Sequence, residues 1–288
     1  MDWTLALQAG VLGLAFGGVF ALLSAGVTPI YAVTRHINVA HGTFLTFSLY
    51  LALNLQTFLR LDPYVSMLLG VPIAGLLGLF VFRCGLRRLL DADPMVVFQF
   101  FLGYVLILES LMLISFGADS RSIPSFIVME KIQIGGFTFR TAQVIAFVFS
   151  TLICIGCHLV LMYSDFGRTV RATAQNAEVA MLMGINVPRL QMQVFMFGFI
   201  LVGVAAHLAA PLLSFNPYTG LTLTLFALIK LVMGGMGSFL GIYLAGLVIG
   251  IIYGISYAFV PSQVAAVIPY MFFLLVMLAR PDGLVSRR

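Results

Sequence analysis

The sequence predicts an all-α polytopic membrane protein that crosses the bilayer eight or nine times, with some helices broken or kinked. Three observations predict this class. The 288 residues are 61% hydrophobic and only 9% charged, their mean hydropathy is +1.11, and apolar segments of bilayer length recur along the whole chain. Because soluble domains are far less apolar, we expect residues 1–288 to form a single transmembrane domain.

Apolar segments long enough to cross a bilayer define the predicted helices, since one crossing takes about 20 residues. Nine segments fit, over residues 5–32, 43–59, 64–82, 95–116, 142–163, 191–213, 222–240, 241–260 and 264–280. The first has no basic flank and is too long for the core of a signal peptide, so we interpret it as a retained span. The count is eight or nine because the glycine-rich run 234–238 fits either a tight turn or a broken helix.

The basic residues predict which loops face the cytoplasm, because inner loops carry the excess of lysine and arginine. With the N-terminus outside and the C-terminus inside, nine crossings place ten basic residues inside and four outside. The inner ones are Arg35, Arg83, Arg87, Arg88, Arg168, Arg171, Arg189, Arg280, Arg287 and Arg288, and the outer ones are Arg60, Arg121, Lys131 and Arg140. The net charge of +5 is accounted for by these loops and does not indicate nucleic-acid binding.

The longest predicted outer loop covers residues 117–141. Apolar and polar residues alternate around Gly135-Gly136, which is typical of a small β-hairpin. This loop is either a surface for a soluble binding protein or a plain connection between two helices.

Residues 164–190 are the largest polar segment of the predicted inner side. Val170, Ala174, Ala177 and Met181 recur at helical spacing, which predicts a short amphipathic helix. The second stripe of this helix is polar and consists of Arg168, Arg171, Gln175 and Glu178. We interpret the segment as a cytoplasmic coupling loop, on which a soluble motor acts to move the membrane part.

Four polar residues within or beside predicted spans are candidates for a translocation path. Glu109 and Lys230 lie inside spans, where an unpaired charge is costly, so they either pair, line a wet path or reach an interface. Asn38 and His41 are three residues apart on one helix face, beside Gly42. They fit either a polar path or an ordinary hydrogen-bonded core.

The motifs of hydrolytic enzymes are missing from the sequence. It contains no His-Glu-x-x-His zinc motif, no Gly-x-Ser-x-Gly elbow and no phosphate-binding loop ending in Gly-Lys-Ser/Thr. Cys154, Cys157 and His158 lack a second group of metal ligands, which favours a core role. We therefore expect no catalytic, cofactor or metal site in this chain, and no hydrolysis of ATP by it.

Three separated stretches resemble the permease subunits of ATP-binding-cassette importers for branched-chain amino acids, often called the Liv type. Residues 37–42, Ile-Asn-Val-Ala-His-Gly, are similar to an early Asn-x-Ala-His-Gly motif of that family. Residues 167–185 resemble its cytoplasmic coupling segment, which here includes Gly184. Residues 234–238 and the glycines after them resemble its Gly-Gly-x-Gly-Ser run, and the ending 281–284, Pro-Asp-Gly-Leu, also fits.

This resemblance implies a non-hydrolysing permease subunit in the bacterial inner membrane. It implies a second permease subunit, usually a different chain, two cytoplasmic ATPase subunits that bind ATP and Mg²⁺, and a periplasmic binding protein. It also implies contact of Arg168, Arg171, Gln175, Glu178 and Gly184 with the ATPases. Gly234, Gly235 and Gly237 would then form a turn or hinge.

Two alternatives stay open at this point. The same family includes permeases for urea and short amides, so the substrate is a branched-chain or related amino acid, or one of these neutral molecules. The second alternative is a secondary transporter or channel that uses Glu109 and Lys230 for ion coupling.

Overall fold

A computed structural model describes residues 3–128, 131–134, 137–235, 237–280 and 283. Helices make up most of this part of the chain, which confirms the all-α class. The elements in order are α1 (Trp3–Thr34), α2 (His41–Leu59), α3 (Pro63–Cys84), a 3-10 turn (Leu86–Arg88), α4 (Pro94–Phe116), β1 (Lys131–Ile134), β2 (Phe137–Arg140), α5 (Thr141–Tyr163), α6 (Asp165–Gln175), α7 (Ala177–Leu182), α8 (Val187–Ala209), α9 (Thr219–Gly234), α10 (Phe239–Phe259), α11 (Ser262–Ala265) and α12 (Ile268–Ala279).

Seven helical segments of the described residues are long and apolar enough to cross a membrane. They lie over Ala6–Thr34, Pro63–Arg88, Pro94–Phe116, Thr141–Tyr163, Val187–Ala209, Phe239–Phe259 and Ser262–Ala279. The predicted crossings at 43–59 and 222–240 correspond to α2, which contains the polar residues His41, Asn54 and Gln56, and to α9, which has only 16 residues. The multi-pass class is therefore confirmed, whereas a count of eight or nine crossings stays a prediction.

Contacts between loops define two ends of the helix bundle. At the hairpin end, which comprises residues 60–62, 117–128, 137–142 and 211–218, the Arg121 amide donates to the Phe215 carbonyl over 2.8 Å. At the α6 end, comprising residues 35–40, 85–93, 164–186 and 235–238, the Nε2 atom of His36 lies 3.1 Å from the Leu90 carbonyl oxygen. Both α2 and α9 connect one end to the other.

A single buried carboxylate holds the loop at the hairpin end. Asp62 is 5% exposed and caps α3 by accepting from the Tyr64 amide over 3.0 Å. Its second oxygen accepts from the Ser125 hydroxyl and the Phe126 amide, both over 2.7 Å, and from the Ile127 amide over 3.1 Å. Proline follows it as the first residue of α3, a position where the missing amide hydrogen is not needed.

Small residues let α1 and α10 cross at close range in the middle of the bundle. A methyl group built on Gly17 would lie 2.7 Å from the Gly246 carbonyl oxygen and 3.2 Å from the Gly250 Cα atom. Gly13 and Gly254 make comparable approaches. In lipid the hydrophobic effect does not drive helices together, so close backbone contact stabilises them through dispersion. The α1–α10 contact, which we call the α1–α10 seam, therefore holds α1 in the centre of the bundle.

The strands β1 and β2 form the hairpin that the sequence predicts. They pair antiparallel, with Ile132 opposite Phe139 and Ile134 opposite Phe137. The turn at 135–136 lies outside the described residues.

The prediction of one amphipathic helix over the coupling loop is wrong, because the segment forms two helices, α6 and α7. Asn176 separates them with an extended backbone, at φ −155° and ψ 110°. Its side chain accepts hydrogen bonds from the Glu178 and Val179 amides over 3.0 and 3.1 Å, so it caps a new helix instead of continuing the old one. The predicted apolar stripe is therefore broken: Val170 is buried, while Met181 is exposed.

Candidate functional site

The segment α6–α7 at the α6 end is held at both of its boundaries by local hydrogen bonds. The Ser164 hydroxyl accepts from the Gly167 amide over 3.1 Å and begins α6. Gly184 ends α7 with a φ of +87°, and the Ile185 amide donates back to the Ala180 carbonyl over 3.0 Å. A left-handed residue at this place is usually glycine, because other side chains are strained there.

Helix α7 presents apolar side chains outward. Val179 and Met181 are about half exposed, at 52% and 51%, while Leu182 and Met183 are 86% and 79% exposed. Only Ala180 of the helix is buried. We call Val179, Met181, Leu182 and Met183 the α7 tip. Since this segment lies between two spans and not within one, an exposed apolar cluster here indicates a surface that contacts either a protein partner or the membrane.

The predicted coupling residues lie around this tip in different environments. Arg168 forms an ion pair with Asp165, three residues earlier, and both side chains are exposed. The Arg171 guanidinium donates to the Leu161 carbonyl and thereby ties α6 to the end of α5. Gln175 and Glu178 are exposed on either side of Asn176.

Removal of the Asn176 cap is expected to loosen α7 alone. The change Asn176→Ala leaves the Glu178 and Val179 amides without their acceptor, which costs about 1 kcal/mol for a typical cap. We expect faster deuterium exchange in residues 177–182, by about fivefold, with little change in the spans. The matched control is Asn186→Ala, which removes the cap of the Arg189 amide at the start of α8. Equal exchange rates in α7 of Asn176→Ala and the unchanged chain would contradict this role.

Asn38 and His41 lie in a fully buried polar cluster where α1, α2 and α9 meet. The Nε2 atom of His41 is 3.0 Å from the Leu23 carbonyl oxygen of α1, and Asn38 Oδ1 accepts from the Ala40 amide over 3.0 Å. His41 Nδ1, Asn38 Nδ2 and the Thr43 hydroxyl have no hydrogen-bond partner within the described residues. The cluster thus has unused polar atoms in an apolar interior.

Close packing of α2 on α9 holds this polar cluster in place. The Gly42 amide donates to the Thr224 hydroxyl over 2.9 Å, and a methyl group on Gly220 would lie 2.6 Å from the Thr43 Cα atom. Thr224 and Gly220 were not among the predicted site residues. The pattern that could have indicated them is a pair of small residues, Gly220 and Thr224, four apart in the apolar stretch 219–234.

Glu109 and Lys230 form no ion pair with each other, and Asp165 with Arg168 is the only ion pair of the described residues. Lys230 is 1% exposed, and its Nζ atom lies 4.7 Å from the centre of the Phe20 ring and 5.5 Å from that of Phe226. Glu109 is half-buried on α4, between the exposed side chains of Leu106 and Leu111. The two charges therefore belong to separate environments.

The glycine-rich run forms a tight turn between α9 and α10. Helix α9 ends at Gly234, and Gly235 and Gly237 follow with φ of +89° and +100°. Met236 lies outside the described residues. A cavity of about 420 Å³ separates this turn from α6, with Gly237 and Ser238 on one wall and Arg171 and Ala174 on the other.

The α7 tip is the main feature that the sequence analysis missed. The sequence predicts a contact surface made of the polar stripe, with Met181 on the apolar one, whereas the structure exposes the apolar residues at 179 and 181–183. The four apolar residues at 179 and 181–183 lie outside every predicted span, and this pattern could have indicated an exposed apolar surface.

Comparisons with known proteins agree with the fold. A family model described as the permease component of the branched-chain amino acid transport system matches residues 11–279. The chain is 28% identical to the high-affinity branched-chain amino acid transport system permease protein BraD of Pseudomonas aeruginosa, over 98% of this chain and 96% of the relative. It is 25% identical to the corresponding protein LivH of Escherichia coli K12, with the same coverage.

A further relative matches a smaller part of the chain. The probable branched-chain amino acid transport permease protein LivH of Methanocaldococcus jannaschii is 26% identical over 82% of this chain and 76% of its own length. No solved structure matches the chain. With a family model that covers residues 11–279 and a multi-pass helical fold, the chain belongs to the permease-component family of branched-chain amino acid transport systems.

Proposed function

We propose that this chain is the membrane subunit of an ATP-driven importer for branched-chain or related hydrophobic amino acids. It forms the path with a second permease subunit of related but not identical sequence, in the bacterial inner membrane. Two cytoplasmic ATPase subunits bind ATP and Mg²⁺ and supply the energy, and a periplasmic binding protein delivers the substrate. The names of the relatives support the substrate class.

The observation that carries the proposal is the α7 tip. A soluble ATPase needs a protruding contact on the membrane subunit, and the α7 tip exposes four apolar side chains at the end of the bundle. Arg168, Gln175 and Glu178 supply a polar rim, as interfaces with an apolar centre commonly have. Under this proposal the α6 end is cytoplasmic, with the N-terminus outside and the C-terminus inside.

Motion of the ATPases reaches the spans through α6. Arg171 ties α6 to α5, and the cavity between α6 and the glycine turn leaves room for α6 to move. Gly235 and Gly237 act as the hinge at which α9 changes its angle. Helix α9 packs on the Asn38 and His41 cluster, so its tilt opens or closes the path alternately to each side.

Reconstitution tests the proposed function. Proteoliposomes that contain the chain, its partner permease and the two ATPases are supplied with the binding protein, radiolabelled leucine and ATP. We expect uptake only when all components and ATP are present, with loss of uptake when residues 172–180 are deleted. Vesicles with the chain alone serve as the control.

Two outcomes would contradict the proposal. Uptake by the chain alone, without ATP, would favour a secondary transporter or channel that uses Glu109 and Lys230. Uptake of urea or short amides in place of leucine by the complete system would keep the ATP-driven mechanism and replace the substrate.

A further inference from the structure

We propose that the cavity between α1, α9 and α10 is a binding site for the carboxylate group of a small apolar molecule, with the Lys230 amine as its counter-charge. This inference rests on the proposed function and narrows its substrate to carboxylates, as opposed to neutral amides. The cavity has a volume of about 150 Å³. A cavity of that volume holds a molecule about the size of benzene.

The Lys230 amine is buried, and none of the described residues gives it a countercharge. The side chain is 1% exposed, none of the described residues lining the cavity is acidic, and no hydrogen-bond acceptor of the described residues is paired with Nζ. The Phe20 and Phe226 rings attract the ammonium group through their faces, which offsets only part of the cost of removing it from water. An anionic group that enters the cavity would offset the rest of this desolvation cost.

The walls of the cavity are suited to the rest of such a molecule. Phe16, Phe20, Phe226 and Ile249 provide apolar surface, while Ser214 and Thr222 provide hydroxyl groups toward the hairpin end. Side chains of a helix lean toward its N-terminus, so Lys230 leans toward the hairpin end of α9. Under the proposed orientation, the amine faces the side from which the binding protein delivers substrate.

Neutral ligands do not satisfy this site equally well. Urea or an amide offers a carbonyl acceptor but leaves the ammonium charge uncompensated in an apolar interior. A carboxylate places a negative charge beside the ammonium group and forms a charge-assisted hydrogen bond with it, which is stronger than a neutral one.

Protection of Lys230 from an amine reagent tests the inference without transport. The chain contains two lysines, so Lys131 is an internal reference. The purified complete complex is treated with acetic anhydride, and acetylation of both residues is followed by mass spectrometry. Isovalerate is the carboxylate probe, and isovaleramide, of nearly the same shape, is the neutral control.

We expect isovalerate at ten times its dissociation constant to slow acetylation of Lys230 by about tenfold, with Lys131 unaffected and isovaleramide without effect. Oleate distinguishes a lipid carboxylate: protection by oleate and not by isovalerate would overturn the inference. Equal protection by isovaleramide would also overturn it. So would a Lys230 that never reacts while Lys131 does, because a cavity open to isovalerate must also admit acetic anhydride, which has about the same size.

Uptake measurements separate this inference from the proposed function. In the complete reconstituted system, Lys230→Met should raise the KM for leucine by about tenfold, and Lys230→Arg should recover most of the loss, since it keeps the charge. Normal ATP-driven uptake by Lys230→Met, together with no protection of Lys230 by isovalerate in the unchanged chain, would overturn the site and leave the function intact. Protection by isovalerate in a complex that does not transport would refute the function and keep the site.

Discussion

Replacing Leu182 by aspartate is expected to lower ATP-driven uptake by about thirtyfold or more and to release the ATPase subunits during purification. Leu182 is the most exposed residue of the α7 tip, at 86%. If the tip enters a pocket of the ATPase, a charge at its centre is desolvated without a partner. Residues at the centre of an interface cost about 2 kcal/mol or more when they are lost, which is about thirtyfold in affinity.

The control for Leu182→Asp is the same change at an exposed apolar residue of the opposite end. Ile127 is 65% exposed in the loop at the hairpin end. Ile127→Asp should leave the ATPases bound, and both variants should keep the melting temperature of the purified membrane subunit, because neither side chain packs in the core. ATPases that stay bound to the Leu182→Asp variant would remove α7 from the coupling surface.

Replacing Gly17 by leucine is expected to abolish the folded protein. The nearest atom to an added methyl group is the Gly246 carbonyl oxygen at 2.7 Å, and the rest of a leucine side chain would have to displace α10 as a whole. Backbone atoms cannot move aside as a flexible side chain can. Overpacking of this kind commonly costs about 1–3 kcal/mol in a soluble core, and the cost is greater when two helix axes must separate. Size-exclusion chromatography in detergent measures the loss of the monodisperse peak.

Gly103 provides the matched control for Gly17. It also lies in the middle of a long apolar helix, α4, but no atom of a neighbouring residue is within 4 Å of its added methyl group. Gly103→Leu should therefore purify in normal yield. A monodisperse Gly17→Leu protein, or equal losses for both variants, would show that the α1–α10 seam does not control folding.

Long apolar segments were predictable from the sequence because each helix must satisfy its backbone within lipid. The predicted spans 64–82 and 95–116 begin within one residue of α3 and α4, which Asp62 and Asp93 cap just before a proline. The break between α6 and α7 was harder to predict. It depends on whether the Asn176 side chain bonds to the following amides, and the same residue is tolerated inside a helix.

The candidate site was less predictable than the fold. Lys230 was recognised by its charge, but its position against Phe20 depends on how α1 packs on α9, and periodicity does not give the pairing of helices. The same applies to His41 and the Leu23 carbonyl. The short motif at 37–42 identified the residues, and tertiary structure supplied the contacts.

The four hydrogen bonds that Asp62 accepts have a consequence for any encounter at the hairpin end. Three of them order residues 125–127 and the fourth anchors Asp62 to α3, so the conformational entropy of this loop is lost during folding and not when a partner docks. Binding to a preorganised loop costs less conformational entropy, because only the partner becomes ordered on binding.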